Sequence, residues 1–338
     1  MNKAPRLRVG SKVGDALTVL GVIDTGGHHS TVYIVWHHGS WCPMACKLYP
    51  CQADAEAEAG ILADLAHPNI VRLLGTGRPA HVLMEFLEGR TLRGLIRTRG
   101  RLSMSDALRV AVHLGAALAH MHARDIVHLD VKPSNVIVAH RRPVLFDLGS
   151  AQRRSEWARP HLEGTQPYMA PEQCLGQSVS PATDIFGLGV TVYELLTGSL
   201  PFRLGSPRRP YPQTEDEPIP LRRYRPGISV SLDRILLKCM SRTAAQRPSL
   251  AGLILALHDL IGSGSPMWPD GFRPDAATSS SEFAHAIPPM DVAGTCSGAP
   301  IRFGNGTDRD RPGHERQRYP HCRQDTLFVL RRFSPRRS

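Results

Sequence analysis

At 338 residues with 41% hydrophobic content, the chain is long enough for one large domain or two ordinary ones, which excludes disorder along its whole length. A net charge of +11 suits an acidic partner, nucleic acid or an anionic membrane surface, but it speaks to association and not to fold, and no specific nucleic-acid role is expected. Seven cysteines without paired spacing and no opening apolar signal segment exclude a disulfide framework, and no apolar run approaches the roughly 18 residues that span a bilayer, so a reducing cytoplasm and no membrane span are expected.

The first part of the chain alternates short β-branched runs with Gly and His turns. "LTVLGVID" from 17, "TVYIVW" from 31 and "MACKLY" from 44 predict three strands of an antiparallel sheet. Cys42, Cys46 and Cys51 lie near His28, His29, His37 and His38, but their spacing matches no compact zinc pattern, and small thiols and surface histidines are expected there. "ADAEAEAGILADLA" (53–66) is rich in strong helix formers and predicts a helix with Ile61, Leu62 and Leu65 on its apolar face, stopped by His67-Pro68. "IVRLLG" and "HVLMEF" add two strands, so residues 12–87 read as a small β-rich unit behind a short N-terminal segment, 1–11.

From about residue 90 the pattern turns helical. Residues 103–123 carry apolar side chains at helical spacing, opened by Ser103 as N-cap with Asp106 three positions on. The regions 182–197 and about 230–262 also read as helical, whereas 203–228 is crowded with Pro and Arg and reads as a loop. From 263 to 338 the chain is rich in Ser, Gly, Pro and Arg, and a disordered basic tail is expected; its "VLRRFSPRRS" puts Ser334 after two arginines, and a solvated terminus is the plainer reading.

Only five of the 41 basic residues are lysines, and two of them stand beside acidic and amide groups that suit one chemistry. Moving a phosphoryl group needs a cation on the nucleotide phosphates, a divalent metal, a carboxylate to orient and deprotonate the attacking hydroxyl, and a lid over the phosphates. Lys47 ends a strand in "MACK", where a compact ammonium can touch phosphate and still pair with a carboxylate; Glu58, on the following helix, is that carboxylate. "HLDVKPSN" (128–135) offers Asp130 as the hydroxyl-orienting base, Lys132 to neutralise the transferring group and Asn135 as an oxygen ligand for magnesium. "LFDLG" (145–149) adds Asp147, a hard carboxylate suited to the same ion.

In this order and spacing the chain resembles the eukaryotic-like protein kinase family, in its serine/threonine branch and of bacterial, soluble type, over about residues 12–262. The likeness is carried by "MACK", Glu58, "HPNIV", the hinge-like "LMEFLEG" with Met84 in the gatekeeper place, "HLDVKPSN", "DLG", "GTQPYMAPE" (164–172), "DIFGLG" with Asp184 and "QRPS" with Arg247. It implies an α+β, two-lobed fold: a small antiparallel β-rich N-lobe with one main helix, and from about 90 to 262 a larger, mainly helical C-lobe, with ATP between them. By the same resemblance Gly27, Ser30, Val32, Ala45, Lys47, Glu58, Met84, Glu85 and Leu87 would line the ATP site, and Asn135 and Asp147 would hold Mg2+ or Mn2+. Thr165 would lie near the substrate hydroxyl and Asp130. Glu172 and Arg247 would form a buried ion pair, and Asp184 would tie its helix to the catalytic loop. Lys132 and the "GT" at 164–165 are features of serine/threonine kinases, so the implied acceptor is a protein Ser or Thr.

Three departures qualify the match. The glycine-rich pattern becomes "TGGHHSTV": of its three glycine positions only Gly27 is kept, with Thr25 and Ser30 in place of the others, which alters how closely backbone amides can approach phosphate. Leu129 stands where many members carry an arginine that holds a phosphorylated activation loop, so independence from that phosphorylation is expected. Leu148 replaces the usual phenylalanine of the metal-binding loop, one apolar packing residue for another. The expected function is an active serine/threonine kinase; the degraded glycine loop motivates the alternative of a pseudokinase acting as a scaffold. A small-molecule phosphotransferase would not be expected to carry "APE" or the Asp184 helix.

Overall fold

Period-2 burial is what builds the first half of the molecule. In the computed structural model, which describes residues 6–24, 30–158 and 164–261, Thr31, Tyr33 and Val35 alternate inward along one strand while Val32, Ile34 and Trp36 face the other way. The six strands are β1 (Lys12–Val13), β2 (Leu17–Asp24), β3 (Thr31–His37), β4 (Cys42–Leu48), then β5 (Leu73–Gly77) and β6 (His81–Glu85) beyond the helix α1 (Gln52–Ala63). They form one antiparallel sheet in the order β1-β2-β3-β4-β6-β5. Its inner side closes on Val13, Leu17, Val19, Tyr33, Val35, Cys46 and Leu83, a core separate from the main one. Gly27, His28 and His29, and the tail from 263 with Ser334, lie outside the described residues.

The predicted strands at 17–24, 31–36 and 44–49 are present within a residue or two, and the helix predicted over 53–66 ends at Ala63. Leu65 is buried beyond the helix. Residues 67–71 form a staple between the two halves: Asn69 donates its side-chain amide to Pro143 O at 2.7 Å, and Leu145 N–H donates to Asn69 O at 2.8 Å. His67 Nδ1 accepts Asn69 N–H, and His120 Nε2 accepts Ala66 N–H; burial pushes both imidazoles down to about 4, so they stay neutral acceptors at physiological pH.

The second half packs helices around α5. β7 (Gly89–Thr91) leads into α2 (Leu92–Arg99), α3 (Met104–His122), β8 (Ile126–Val127), β9 (Val136–Ala139), β10 (Arg142–Leu145), β11 (Gln152–Arg153), α4 (Pro171–Cys174), α5 (Pro181–Thr197), α6 (Val230–Cys239) and α7 (Leu250–Ile261). Ser103 caps α3 as its sequence implies, accepting Asp106 N–H at 3.0 Å. α5 is buried on nearly every face, so it reads as a continuously apolar run rather than an amphipathic one. The predicted helical region 230–262 is two helices, separated by residues 240–249, where Arg247 turns inward. The loop at 203–228 holds only two single 3-10 turns, and it borders a cavity of about 520 Å³ lined in part by Phe202, Arg203, Arg223 and Tyr224.

Candidate active site

The cleft between the two halves begins with one buried cation shared by two carboxylates. α1 turns Ala55, Glu58, Ala59 and Leu62 inward at helical spacing, and Glu58 is the acidic residue on that face. Lys47, on β4 opposite Val32 and Val82, donates to Glu58 Oε2 at 2.7 Å and to Asp147 Oδ1 at 2.6 Å. The Tyr49 hydroxyl also donates to Glu58 Oε2. Burial alone would lower the Lys47 ammonium, but Glu58 and Asp147 outweigh it and hold Lys47 above its ordinary value. Burial raises Glu58 above the usual carboxylate range, with Asp147 adding to it and Lys47 opposing. Burial would raise Asp147 as well, yet the Lys47 charge overrides this and lowers it.

The loop carrying Asp130 is shaped from below by Asp184. This fully buried carboxylate accepts His128 N–H at 2.9 Å and Leu129 N–H at 2.8 Å, and His122 Nε2–H at 2.8 Å. Both backbone donors can turn toward it because Leu129 sits at φ 66, in the left-handed region that few side chains adopt. Above that turn, Asp130 Oδ1 accepts Thr165 N–H at 3.1 Å, and Oδ2 accepts Lys132 Nζ at 2.5 Å and Asn135 Nδ2 at 3.0 Å. Lys132 also donates to Thr165 Oγ1 at 2.6 Å. Four residues named from the sequence, Asp130, Lys132, Asn135 and Thr165, therefore form one hydrogen-bonded cluster.

Asn135 and Asp147 fit a hard divalent cation. The Asn135 amide nitrogen is committed to Asp130, which leaves its oxygen as the acceptor, and the Asp147 side chain is 41% exposed in the cleft with one oxygen on Lys47. Among the described residues no cluster of three His, Cys, Asp or Glu side chains could hold a metal. Two oxygen donors, to be completed by phosphate and water, match how magnesium binds at nucleotide sites.

Of the proposed nucleotide wall, Val32 and Ala45 lie on adjacent strands, and Met84 pairs in register with Ala45 and is buried. Leu87 packs against the main core, and Ser30 is half-buried just before β3. The Glu85 carboxylate accepts Arg72 N–H at 3.0 Å, so it braces the strand edge. Gly27 lies outside the described residues. Sequence reading missed Tyr49, and it missed Gln173, whose amide donates to Leu129 O at 2.9 Å; neither belongs to a recognisable spacing. The pairs expected farther from the cleft are present: Arg247 forks onto Glu172 at 2.7 and 2.8 Å.

A β-rich lobe and a helical lobe, with a lysine–glutamate pair facing an aspartate–lysine–asparagine loop, define the protein kinase class. The family model for the protein kinase domain matches residues 21–257, and the chain belongs to that family. It is similar to the serine/threonine-protein kinase PknB of Mycobacterium tuberculosis (strain ATCC 25618 / H37Rv), 31% identical over 273 residues, covering 75% of this chain and 42% of the relative. It is also similar to PknB of Mycobacterium leprae (strain TN), 33% identical over 62% of this chain and 36% of the relative. PrkC of Bacillus subtilis (strain 168) is 32% identical over 56% of this chain and 31% of the relative. The chain thus matches about two fifths of these relatives' length or less.

Proposed function

We propose that this chain is a serine/threonine protein kinase that transfers the γ-phosphoryl group of ATP to a Ser or Thr hydroxyl of a protein substrate. The single observation that carries this reading is the joint cluster of Asp130, Lys132, Asn135 and Thr165 across the cleft from the Lys47–Glu58 pair. Asp130 is the base: its carboxylate, fixed by three donors, accepts the proton of the attacking hydroxyl as the oxygen–phosphorus bond forms. Lys132 places its charge between that base and Thr165, where negative charge develops on the transferring group. Lys47 binds phosphate oxygens, and Glu58 orients it. Asn135 and Asp147 would hold Mg2+ or Mn2+, and the ion supplies positive charge against the phosphates.

The catalytic unit proposed here is residues 12–262, and the free thiols of Cys42, Cys46, Cys51, Cys174 and Cys239 suit a cytoplasmic setting. The relatives' names support the serine/threonine assignment, as does lysine at 132. Phosphoamino-acid analysis of a basic protein labelled by this chain tests it: label on Ser and Thr supports the reading, and label on Tyr alone overturns it.

A further inference from the structure

Glu58 carries a demand that Lys47 alone meets poorly. The carboxylate is 2% exposed, and its Oε1 has no hydrogen-bond partner. A buried carboxylate is costly unless several donors face it, and its cation here is divided, since Lys47 sits at 2.7 Å from Glu58 and 2.6 Å from Asp147. Any movement of Lys47 toward a phosphate weakens the pair further.

Tyr49 supplies a second donor, on the Glu58 oxygen that Lys47 also contacts. It lies two residues beyond Lys47 at the end of β4, where its N–H donates to Ala80 O at 2.9 Å and fixes the backbone. Its side chain is buried, its ring faces the Lys47 ammonium at 5.3 Å from the centroid, and its hydroxyl donates to the same Glu58 oxygen that Lys47 contacts. The groups facing Glu58 are then Lys47 from β4, Tyr49 from the end of that strand, and Asp147 with the Leu148 backbone from the loop after β10. We infer that Tyr49 is a positioning residue, which keeps Glu58 aimed at Lys47 when Lys47 is shared with other anions. It acts through Glu58 and Lys47, the side chains its hydroxyl and ring meet. This rests on the kinase reading for its catalytic consequence, but the hydrogen bond itself does not.

The test uses the full chain with Tyr49→Phe, which keeps the ring and removes only the hydroxyl, together with Glu58→Gln and the double variant. The expected loss in kcat/KM for ATP is about tenfold at neutral pH, the worth of a hydrogen bond to a charged group, with KM for the protein substrate unchanged. In the Glu58→Gln background Tyr49→Phe adds nothing. An equal loss in both backgrounds overturns the inference. The same four proteins compared by urea midpoints give the Tyr49–Glu58 coupling without catalysis. Coupling in a chain that transfers no phosphate defeats the kinase reading alone; transfer with zero coupling defeats this inference alone.

Discussion

Asp184 shows how one side chain decides whether a loop exists. Its carboxylate satisfies two backbone N–H groups and a histidine in a place shut off from solvent, so removing it strands all three donors. Asp184→Ala is expected to cost about 3–5 kcal/mol in urea unfolding and to abolish activity, because the His128–Leu129 turn loses its anchor. Burial would raise this carboxyl, but the His122 bond and charge hold it below the ordinary carboxylate range. With the folded value depressed, its contribution is present above the unfolded pKa and is lost as pH falls through the folded value. Acid unfolding of Asp184→Asn should accordingly be less steep in pH than that of the wild type, and an unchanged slope would remove Asp184 from the acid transition. Lys47, Asp130 and Asp147 were legible in the sequence because chemistry needs those residue types at those positions. Tyr49 was not, since a tyrosine ending a strand is ordinarily core.

The segment after Asp147 is held against the strand and loop around Leu129. Leu129 occupies an arginine's place, and it packs with Val127 and Val179 against Trp157. The segment is fastened further by pairing of β11 with β8, by Val179 N–H on Trp157 O at 2.9 Å, and by Arg153 reaching Gly60 O at 2.9 Å on α1 and Asp64 at 2.6 Å just past its end. Apolar packing, main-chain bonds and the Arg153 side chain thus hold the described part of this segment. Trp157→Ala should lower transfer to protein substrate several-fold while Trp157→Phe restores most of it; Ser155→Asp should change little. A large rise with Ser155→Asp would mean that a negative charge organises the segment after all. At this scale the sequence was legible for strands with clean alternation and for α3 with its Ser103 cap. It was less legible for α2, which has only eight residues, and for β7, β8 and β11, which have two or three and pair with strands distant in the chain.

Across the whole molecule, polar staples between distant segments hold the helical half together. Arg247, from the loop between α6 and α7, forks onto Glu172 and donates to Ala182 O, Ser241 O and Arg242 O. Burial would raise Glu172, but the Arg247 fork and charge outweigh it and lower it. Arg247→Met should cost about 3–5 kcal/mol in denaturant unfolding by leaving an unpaired buried carboxylate, and adding Glu172→Leu should recover part of that loss. A single variant as stable as the wild type would show that the pair is not structural. The two-lobed architecture was readable because motif order fixes which segments meet; the break at 240–249 was not, since the apolar period continues on both sides of it.

Whether this site transfers phosphate as it stands is read by the initial rate of γ-phosphate transfer from labelled ATP. Phosphatase-treated wild type would be compared with Asp130→Asn, with magnesium, on a basic protein substrate. The kinase reading requires transfer by the wild type without a lag, and a rate lower by roughly 10²- to 10⁴-fold in the variant, the range for losing a general base. Folded wild type that transfers nothing, or a variant that transfers at the wild-type rate, would contradict it.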